Sequence, residues 1–529
     1  MAESARQLDP YRGPSPQYAN ANGLTFSADA RGAPVQGETR YKAARRDSDV
    51  FANSFSGDAD TDTLPSLPEL RRRSADAARN NPLALAGISA KVTNVVGTGL
   101  RLNAAIDREA LGLSDDEADA WEAQAEAEWQ LFSSSLNCDL RKTLCFAEQQ
   151  DLAYRNSIER GDHFIALVSR PGPRPRWWPY SFALQHIEAD RVSNPHGARD
   201  TERLIAGIEK DSQGAPIAIH VANHHPGSLL RHGQPPRWTR LRMTGARTGR
   251  PLVLHLYRTL REGQTRGVPE LAPVLEVLKQ LDRYVDAEVD RAANSALFMA
   301  FLTTADGDGM AALGGDELVE DRQQFYKKFR QDRYAIDHSS IASLFPGDKM
   351  EFADPKSPNP NAETFIRTFA TLIGAALEIP QEVLLRHFSS SYSAARGALL
   401  MAWQHFNTRR AWLASRKCQP VYEAVLTDAI AAGRLKAPGF LDDPFARQAW
   451  AGSEWIGDAP PIIDENKAVT AAVDRVAGGF STRKRETAQL TGQDYDHVRR
   501  QRAKEARQEP QQMALDLPSA DDLDREDER

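Results

Sequence analysis

Cysteine is nearly absent from this 529-residue chain, which has only Cys138, Cys145 and Cys418. So odd and scattered a set excludes a disulfide scaffold and a paired CxxC zinc site, and leaves reduced thiols as the expectation. Long apolar runs are missing too. The longest, such as Ala296 to Leu302, fall far short of the ~20 residues that cross a bilayer, so no membrane partner is expected. The amino terminus, MAESARQLDPYRGP, lacks both the basic start with an apolar stretch and the small-residue cleavage site of a secretion signal. The chain is therefore expected to remain in the cytoplasm where it is made. Catalytic signatures are lacking as well: there is no GxxxxGK[ST] phosphate cradle, no GxGxxG after a strand, no HExxH and no GxSxG. Serines cluster near His387, but helix caps and loop positions explain them without an activated nucleophile. No catalytic residue and no cofactor are expected.

Charge is present but weakly unbalanced, with a formal net charge of −7. Proteins that grip nucleic acid over their whole surface are usually basic, which argues against that class. A conduit for a sliding polyanion stays open, because it needs few phosphate contacts and gains from a repulsive wall. Two local clusters stand out. Arg71 to Arg73 could meet phosphates, although a short basic run on a helix ordinarily forms a solvated or interface face. His220, His224 and His225 fall within six positions, and imidazole ligates zinc and copper. They open an alternative reading, a metal-dependent nucleic-acid enzyme. Their place on a strand end and loop, without helical His-x-x-x-His spacing or an adjacent carboxylate pair, favours a plain polar strand end.

A chain of this length exceeds one hydrophobic core and predicts about three or four structural units. Residues 1 to 65, rich in Ala, Gly, Asp, Ser and Pro, read as an extended or partly disordered arm. From Leu70 a polar helix, a break at Pro82, an apolar helix and a strand entered through Gly97 and Gly99 follow. Glu117 to Phe132 and Ala147 to Glu159 read as helices, and His163 to Ser169, Ser181 to Ile187 and Leu204 to Glu209 as strands. Then comes a hairpin around Gln213 and Gly214. The segment from Gly263 to Thr304, with apolar residues repeating from Val274 to Ala296 and Pro269 and Pro273 near the helix start, predicts the longest helix, of roughly 45 to 50 Å at 1.5 Å per residue. Asp316 to Gln331 reads as a charged helix holding Lys327, Lys328 and Arg330.

The organising stretch is Tyr334 to Leu413: a short strand pair, a helix, a loop and a second helix. On the first helix Phe365, Phe369, Leu372, Ile373, Ala376 and Leu377 predict one buried face, with Asn361 as N-cap and Pro380 forbidding continuation beyond Ile379. The second carries Leu399, Ala402, Trp403, Phe406 and Leu413. Between them Gln381, Glu382, Arg386, His387, Ser390 and Tyr392 look too polar to form a core, so an exposed, mobile loop is expected. Further on, helices continue to Gly433, a tryptophan pair stands at Trp450 and Trp455, and a helical region spans Thr482 to Arg507. The end, DLPSADDLDREDER, is acidic and predicted to be disordered.

PGDKMEFADPKSPNPNAETF and LEIPQEVLLRHFSSSYSAARGALL resemble the matching segment of the lambda-family portal proteins of tailed bacteriophages. Further matches are Arg79 to Asn81 with VVGTG, CDL at Cys138, ERGDHFIALV, LQHIEADRVSNP and GQTRGVPELAPVL. Gly478, Thr482, Arg483, Gly492, Asp494, Val498 and Glu505 keep the carboxy-terminal pattern, which departs at ENKAV. The resemblance implies an α+β, mostly helical portal fold assembled as a dodecameric ring at one capsid vertex, and so a chain that is not an enzyme. It also implies a flexible N-terminal arm (1–65), a wing (66–315), a first stem helix (316–333), a clip (334–360) and a second stem helix (361–378). A tunnel loop (379–393), a helix returning to the wing (394–455), a crown (456–510) and an acidic disordered tail (511–529) complete the order. Gln381, Glu382, Arg386, His387, Ser390 and Tyr392 would meet DNA from the tunnel loop, and Lys327, Lys328, Arg330 and Arg367 from the stem. The implied partners are double-stranded DNA, the terminase large subunit, the major capsid protein and a head-completion or adaptor protein. The place is the virion, after assembly in the host cytoplasm. Lacking a phosphate cradle, the chain would not be the packaging motor.

Overall fold

The computed structural model describes residues 57–170, 177–229, 235–297, 361–387, 391–460 and 464–515, residue 324, and four short strands at 17–19, 25–27, 301–304 and 348–351. The chain divides into two compact units, Met1–Asp62 and Thr63–Arg529. Within the first, Gln17–Ala19 pairs antiparallel with Thr25–Ser27. The rest of the expected arm lies largely outside the described residues.

The second unit opens with helix α1 (Leu67–Asn80), ended where Asn81 caps helix α2 (Pro82–Val95) by accepting from Ala84 N. Proline at the first position suits a helix start, where the amide would be unpaired anyway. Strand β1 (Arg101–Ala104) follows, then helix α3 (Asp115–Ser133) with a full capping box at Ser114 and Glu117, and helix α4 (Phe146–Glu159). Strand β2 (Asp162–Ser169) is central to an antiparallel sheet between β3 (Phe182–Glu188) and a strand nearer the long helix, Val253–Tyr257. A second antiparallel sheet has the order β4 (Leu204–Ile205), β5 (Ile208–Lys210), β6 (Pro216–Ala222), β7 (Trp238–Arg242). Numbering Val253–Tyr257 as β8, the fold is α+β, and among the described residues these three- and four-stranded sheets are accompanied by three two-stranded ones.

The pleat of β2 explains why two cores exist. Phe164 and Ala166 face a small core with Ile187, Ile219, Val221 and Val253, while Ile165 faces the main helical core. Both faces are buried, so the strand reads as the unbroken apolar run FIALV.

At its first residue β2 places a carboxylate with no exposure at all. Asp162 accepts from Arg71 Nη2 at 2.8 Å and Arg266 Nε at 2.6 Å, and His255 Nε2 lies 3.2 Å away. Burial alone would raise its pKa, yet the guanidinium groups of Arg266 and Arg71 hold it well below the usual carboxylate range. The same Arg266 also donates to the carbonyls of Ala189, Val192 and Ala206. Of the three arginines from 71 to 73, then, only Arg72 and Arg73 form a surface face, paired with Glu69; Arg71 is a buried strut.

The remaining sequence expectations divide. Leu204 to Glu209 is not one strand but a hairpin, because Ala206 (φ 46°) and Gly207 (φ 83°) turn the chain through the left-handed region. Helix α5 spans Leu275–Leu297, so at 1.5 Å per residue its 23 residues reach about 35 Å, short of the expected length. Phe301–Thr304 (β9) instead forms a strand, antiparallel to Asp348–Glu351 (β10). That pair joins two distant stretches rather than closing within 334–360, whose other residues lie outside the described ones. The charged helix predicted at Asp316 to Gln331, with Lys327, Lys328 and Arg330, also lies outside them, apart from a helical residue 324.

The chain beyond residue 418 docks back on α3 by aromatic contacts. Trp129 of α3 meets Phe146, Tyr422 and Trp455 edge-on at 4.8, 5.8 and 5.3 Å, and Trp121 lies 4.8 Å from Trp450. Strand Ser453–Ile456 pairs with β1, Ser453 opposite Ala104 and Ile456 opposite Arg101, bringing distant parts of the chain into one layer.

Asp162→Asn is expected to destabilise the fold by about 3–5 kcal/mol at pH 7, because it leaves two buried guanidinium groups without their carboxylate. Since the folded-state pKa of Asp162 is depressed, the stabilisation is present above about pH 4 and lost as pH falls, so the gap between variant and parent narrows in acid. Thermal unfolding followed from pH 3 to 8 measures both.

Candidate functional site

Helix α6 (Ala362–Ala376), helix α7 (Gln381–Leu385) and helix α8 (Tyr392–Leu413) form the helix, connection and helix that the sequence singled out. The buried face of α6 is rotated from the expected one. Ala370, Ile373, Gly374 and Leu377 are buried, whereas Leu372 is 55% and Phe365 39% exposed. Small residues explain the rotation: a Cβ on Gly374 would stand 2.7 Å from the carbonyl oxygen of Ile379, so only glycine lets the chain fold back here.

The helix ends as the proline requires. Ile379 N donates to Gly374 O at 2.9 Å, and Glu378 between them adopts φ 59°, a conformation where glycine is usual. A charged cluster holds this turn. Glu378 pairs with Arg258 at 3.0 Å and His405 Nδ1 at 2.8 Å, while Lys91 Nζ donates to the Leu377 carbonyl at 3.0 Å and to Glu270 at 2.5 Å. Burial pushes the Lys91 amine down, and Glu270, which burial would raise, is held below its ordinary value by Lys91. His405 is lowered by burial and by Lys91. None of these residues was singled out from sequence. A lone lysine in the apolar run NPLALAGISAKVTNVV was the available signal.

The connection is not the open loop expected. Ile379 and Leu384 are 3% and 2% exposed and sit over Gly87 of α2, and Pro380 caps the short helix α7. Two apolar residues suffice because Gly87 leaves a recess for them. Gln381 is half-buried, with its Oε1 2.7 Å from Thr371 Oγ1, and that hydroxyl also lies 2.8 Å from the Arg367 carbonyl, so its one proton serves one of the two. Arg367 itself pairs with Glu363 at 3.0 Å. Glu382 O accepts from His387 N, Arg386 takes φ 53°, and the side chains of Arg386 and His387 are exposed. The structure thus ties Gln381, at the start of α7, to the Arg367 turn of α6 through Thr371, and leaves Arg386 and His387 exposed beyond the other end of α7. Ser390 and the side chain of Tyr392 lie outside the described residues.

Helix α8 starts at the Ser391 cap and buries Ala395, Ala402, Phe406, Arg409 and Leu413. Through a π-helical turn, Ala414–Cys418, it runs directly into helix α9 (Gln419–Ala431). Inside that turn Lys417 is fully buried, with no hydrogen-bond partner for its Nζ, which lies 4.5 Å from the Phe146 ring centroid. Burial pushes its amine down to about 7.

The three histidines of the alternative reading face different neighbours. His220 lies 3.4 Å from Glu209, which Arg240 already holds at 2.7 Å; His225 lies 3.6 Å from Asp190, and His224 Nδ1 is buried without a partner. The acids are nearer than the sequence suggested, but among the described residues no group of three His, Cys, Asp or Glu side chains could hold a metal ion. Cys138, Cys145 and Cys418 are free thiols, and no helix among the described residues is long and apolar enough to cross a membrane.

The family model described as "Phage portal protein, lambda family" matches residues 45–410. Portal protein B of Escherichia phage lambda is 26% identical over 474 residues, 86% of each chain. The portal protein of Escherichia phage N15 is 26% identical over 475 residues, covering 86% of this chain and 87% of that one. Among solved structures, a chain from the virion of a native gene transfer agent particle aligns with a TM-score of 0.42 and 14% identity over 80% of this chain and 93% of its own.

Replacing Lys417 with Met tests the buried amine. With a folded value near 7 against an ordinary 10.5, the parent pays for a buried charge at low pH, and its stability rises between those values. Lys417→Met should therefore unfold at a higher temperature than the parent at pH 6 to 7, by a few degrees, with the gain gone above about pH 10.5. An unchanged gap across that range would contradict it.

Proposed function

Because the chain belongs to the lambda family of phage portal proteins, we propose that it forms the closed ring at one capsid vertex through which genomic DNA enters and leaves the particle. The observation that carries this reading is the family match over residues 45–410, which spans the whole stretch from the first helices to α8. The role is that of a structural conduit in the virion, and no P-loop is present in the sequence to hydrolyse ATP. Energy for packaging comes from a docked terminase large subunit, and the ring also meets the major capsid protein and a head-completion or adaptor protein. Twelve copies and assembly in the host cytoplasm complete the proposal.

On this reading 66–315 is the wing, 316–333 and 361–378 are the stem, 334–360 the clip and 456–510 the crown. Residues 379–393 present the channel contact. The arrangement of α6 and α7 supports that assignment: the base of the connection is clamped by Lys91 and Glu378, while Arg386 and His387 stand exposed at its end. A clamp with exposed charge at its tip can touch a passing polyanion without deforming the body that carries it.

Two outcomes test the proposal. The purified chain should assemble into closed rings, because apolar side chains such as Met401 (75% exposed) and Phe480 (84%) are left uncovered in one copy. Native mass or electron-microscopy class averages read this directly, and a monodisperse monomer across salt and pH would sink it. Arg386→Glu with His387→Glu should leave assembly intact, since neither side chain buries apolar surface, yet cut DNA-filled particles by at least about tenfold through reversed charge against phosphate. The length of packaged DNA is the measurement. Lost assembly with normal packaging in the surviving rings would put this segment at a subunit interface instead.

A further inference from the structure

The carboxy-terminal helix α13 (Tyr495–Leu515), which follows helices at Glu465–Ala477 (α11) and Arg483–Thr491 (α12) once Pro444–Trp450 is taken as α10, lacks an apolar face over its middle. Every residue from Gln501 to Arg507 is exposed. Charge, not apolar surface, is what this stretch offers: positions 483 to 507 hold eight basic residues against four acidic ones. The cations are ordered. Arg500, Lys504 and Arg507 recur at the i, i+4, i+7 spacing that aligns side chains along one helix face, whereas the acids nearby are engaged elsewhere, Asp496 with Arg499 at 3.9 Å and Glu505 with Gln501 at 2.9 Å.

The chain then changes sign. Of the fourteen residues from Asp516 to Arg529, seven are acidic and two are arginine, so this segment carries −5 of the total −7. It starts one residue after α13 ends, and Pro518-Ser519 lies between the helix and the run of acids that begins at Asp521. Its length suits a return path. Along a helix, Arg507 lies ~12 Å and Arg500 ~22 Å behind Leu515 at 1.5 Å per residue. Residues 516 to 521 can span ~20 Å when extended at 3.3–3.6 Å each, which brings the acids from 521 to 528 over that same interval.

We propose that the acidic segment Asp516–Arg529 docks back on the Arg500, Lys504 and Arg507 face of its own helix α13. The contact is electrostatic and therefore weak pair by pair, additive along the stripe and released by salt. Its consequence rests on the portal reading given above: while the segment is docked, this cationic face is withheld from DNA phosphates.

The docking is tested without reference to DNA. A fluorescent synthetic peptide of residues 516–529 is titrated into the chain ended at Leu515, and anisotropy should report saturable binding that weakens at least about tenfold between 20 and 200 mM salt. The triple variant Arg500→Gln, Lys504→Gln, Arg507→Gln should abolish it. Absence of saturable binding, or equal binding to the triple variant, overturns the proposal. In the full-length chain, Asp521→Asn with Asp522→Asn and Asp524→Asn should raise affinity for a short DNA duplex at least about fivefold at low salt. Peptide binding with unchanged duplex affinity would keep the docking and remove its consequence for DNA, while duplex binding in the absence of peptide binding would assign the stripe to DNA alone.

Discussion

The carboxylate of Asp162 is the interaction on which the placement of the layers depends. An ion with no exposure is costly unless every lone pair is met, and here the partners come from distant parts of the chain: Arg71 from α1, His255 from β8 and Arg266 from the segment beyond it. Arg266 then spends its remaining donors on the carbonyls of Ala189, Val192 and Ala206, the connections that lead into the second sheet. Backbone closes in at the same place, where a Cβ on Gly267 would stand 2.0 Å from Gly161 O. Such a network specifies register more than it adds stability, since a buried pair roughly offsets its own desolvation.

The same device recurs where α6 turns into α7. Lys91 reaches from the apolar helix α2 to the buried carboxy-terminal end of α6, donates to the Leu377 carbonyl, and is itself neutralised by Glu270. Glu378 is kept in a left-handed conformation by Arg258 and His405. Two networks of buried charge thus fix two junctions: one joins the sheets to the helical layer, the other joins the α6–α7 hairpin to that layer. From the second junction α8 continues through the π-turn into α9, whose Tyr422 packs on Trp129.

How legible this was depends on whether the signal was local. Proline marked the limits of α2 and α6, and serine that of α8, because a missing amide or a side-chain acceptor acts within a few positions; Asn361, expected to cap α6, makes no side-chain cap hydrogen bond. The hairpin at Leu204 was hidden, since its turn opens on Ala206, where Asn or Gly is usual, ahead of Gly207, and is held by Arg266 and Asp200 from outside. The face of α6 was misplaced because an apolar count gives weight to Leu372 and none to Gly374, whereas close packing rewards the small residue. Nothing near Arg71 distinguishes it from Arg72 and Arg73; its partner is 91 residues away. In the connecting segment the polar majority masked Ile379 and Leu384, which find their recess only in the folded chain.

Charge placement on the described surface fits a body that lets a polyanion pass. Many exposed cations are already matched by an acid of their own helix: Arg72 and Arg73 by Glu69, Arg367 by Glu363, Arg499 by Asp496. A matched pair costs little and contributes little in water, but it changes what an approaching phosphate meets. Each bare cation captures phosphate and releases a counterion, so affinity climbs steeply with their number, and a strand held at many points cannot slide. Matching lowers that number while leaving the surface hydrated. Other exposed cations, among them Arg386 with His387 at the clamped α7 end and the stripe on α13, have no such pair, and a contact that must be brief gains more from a few well-placed charges than from a basic wall.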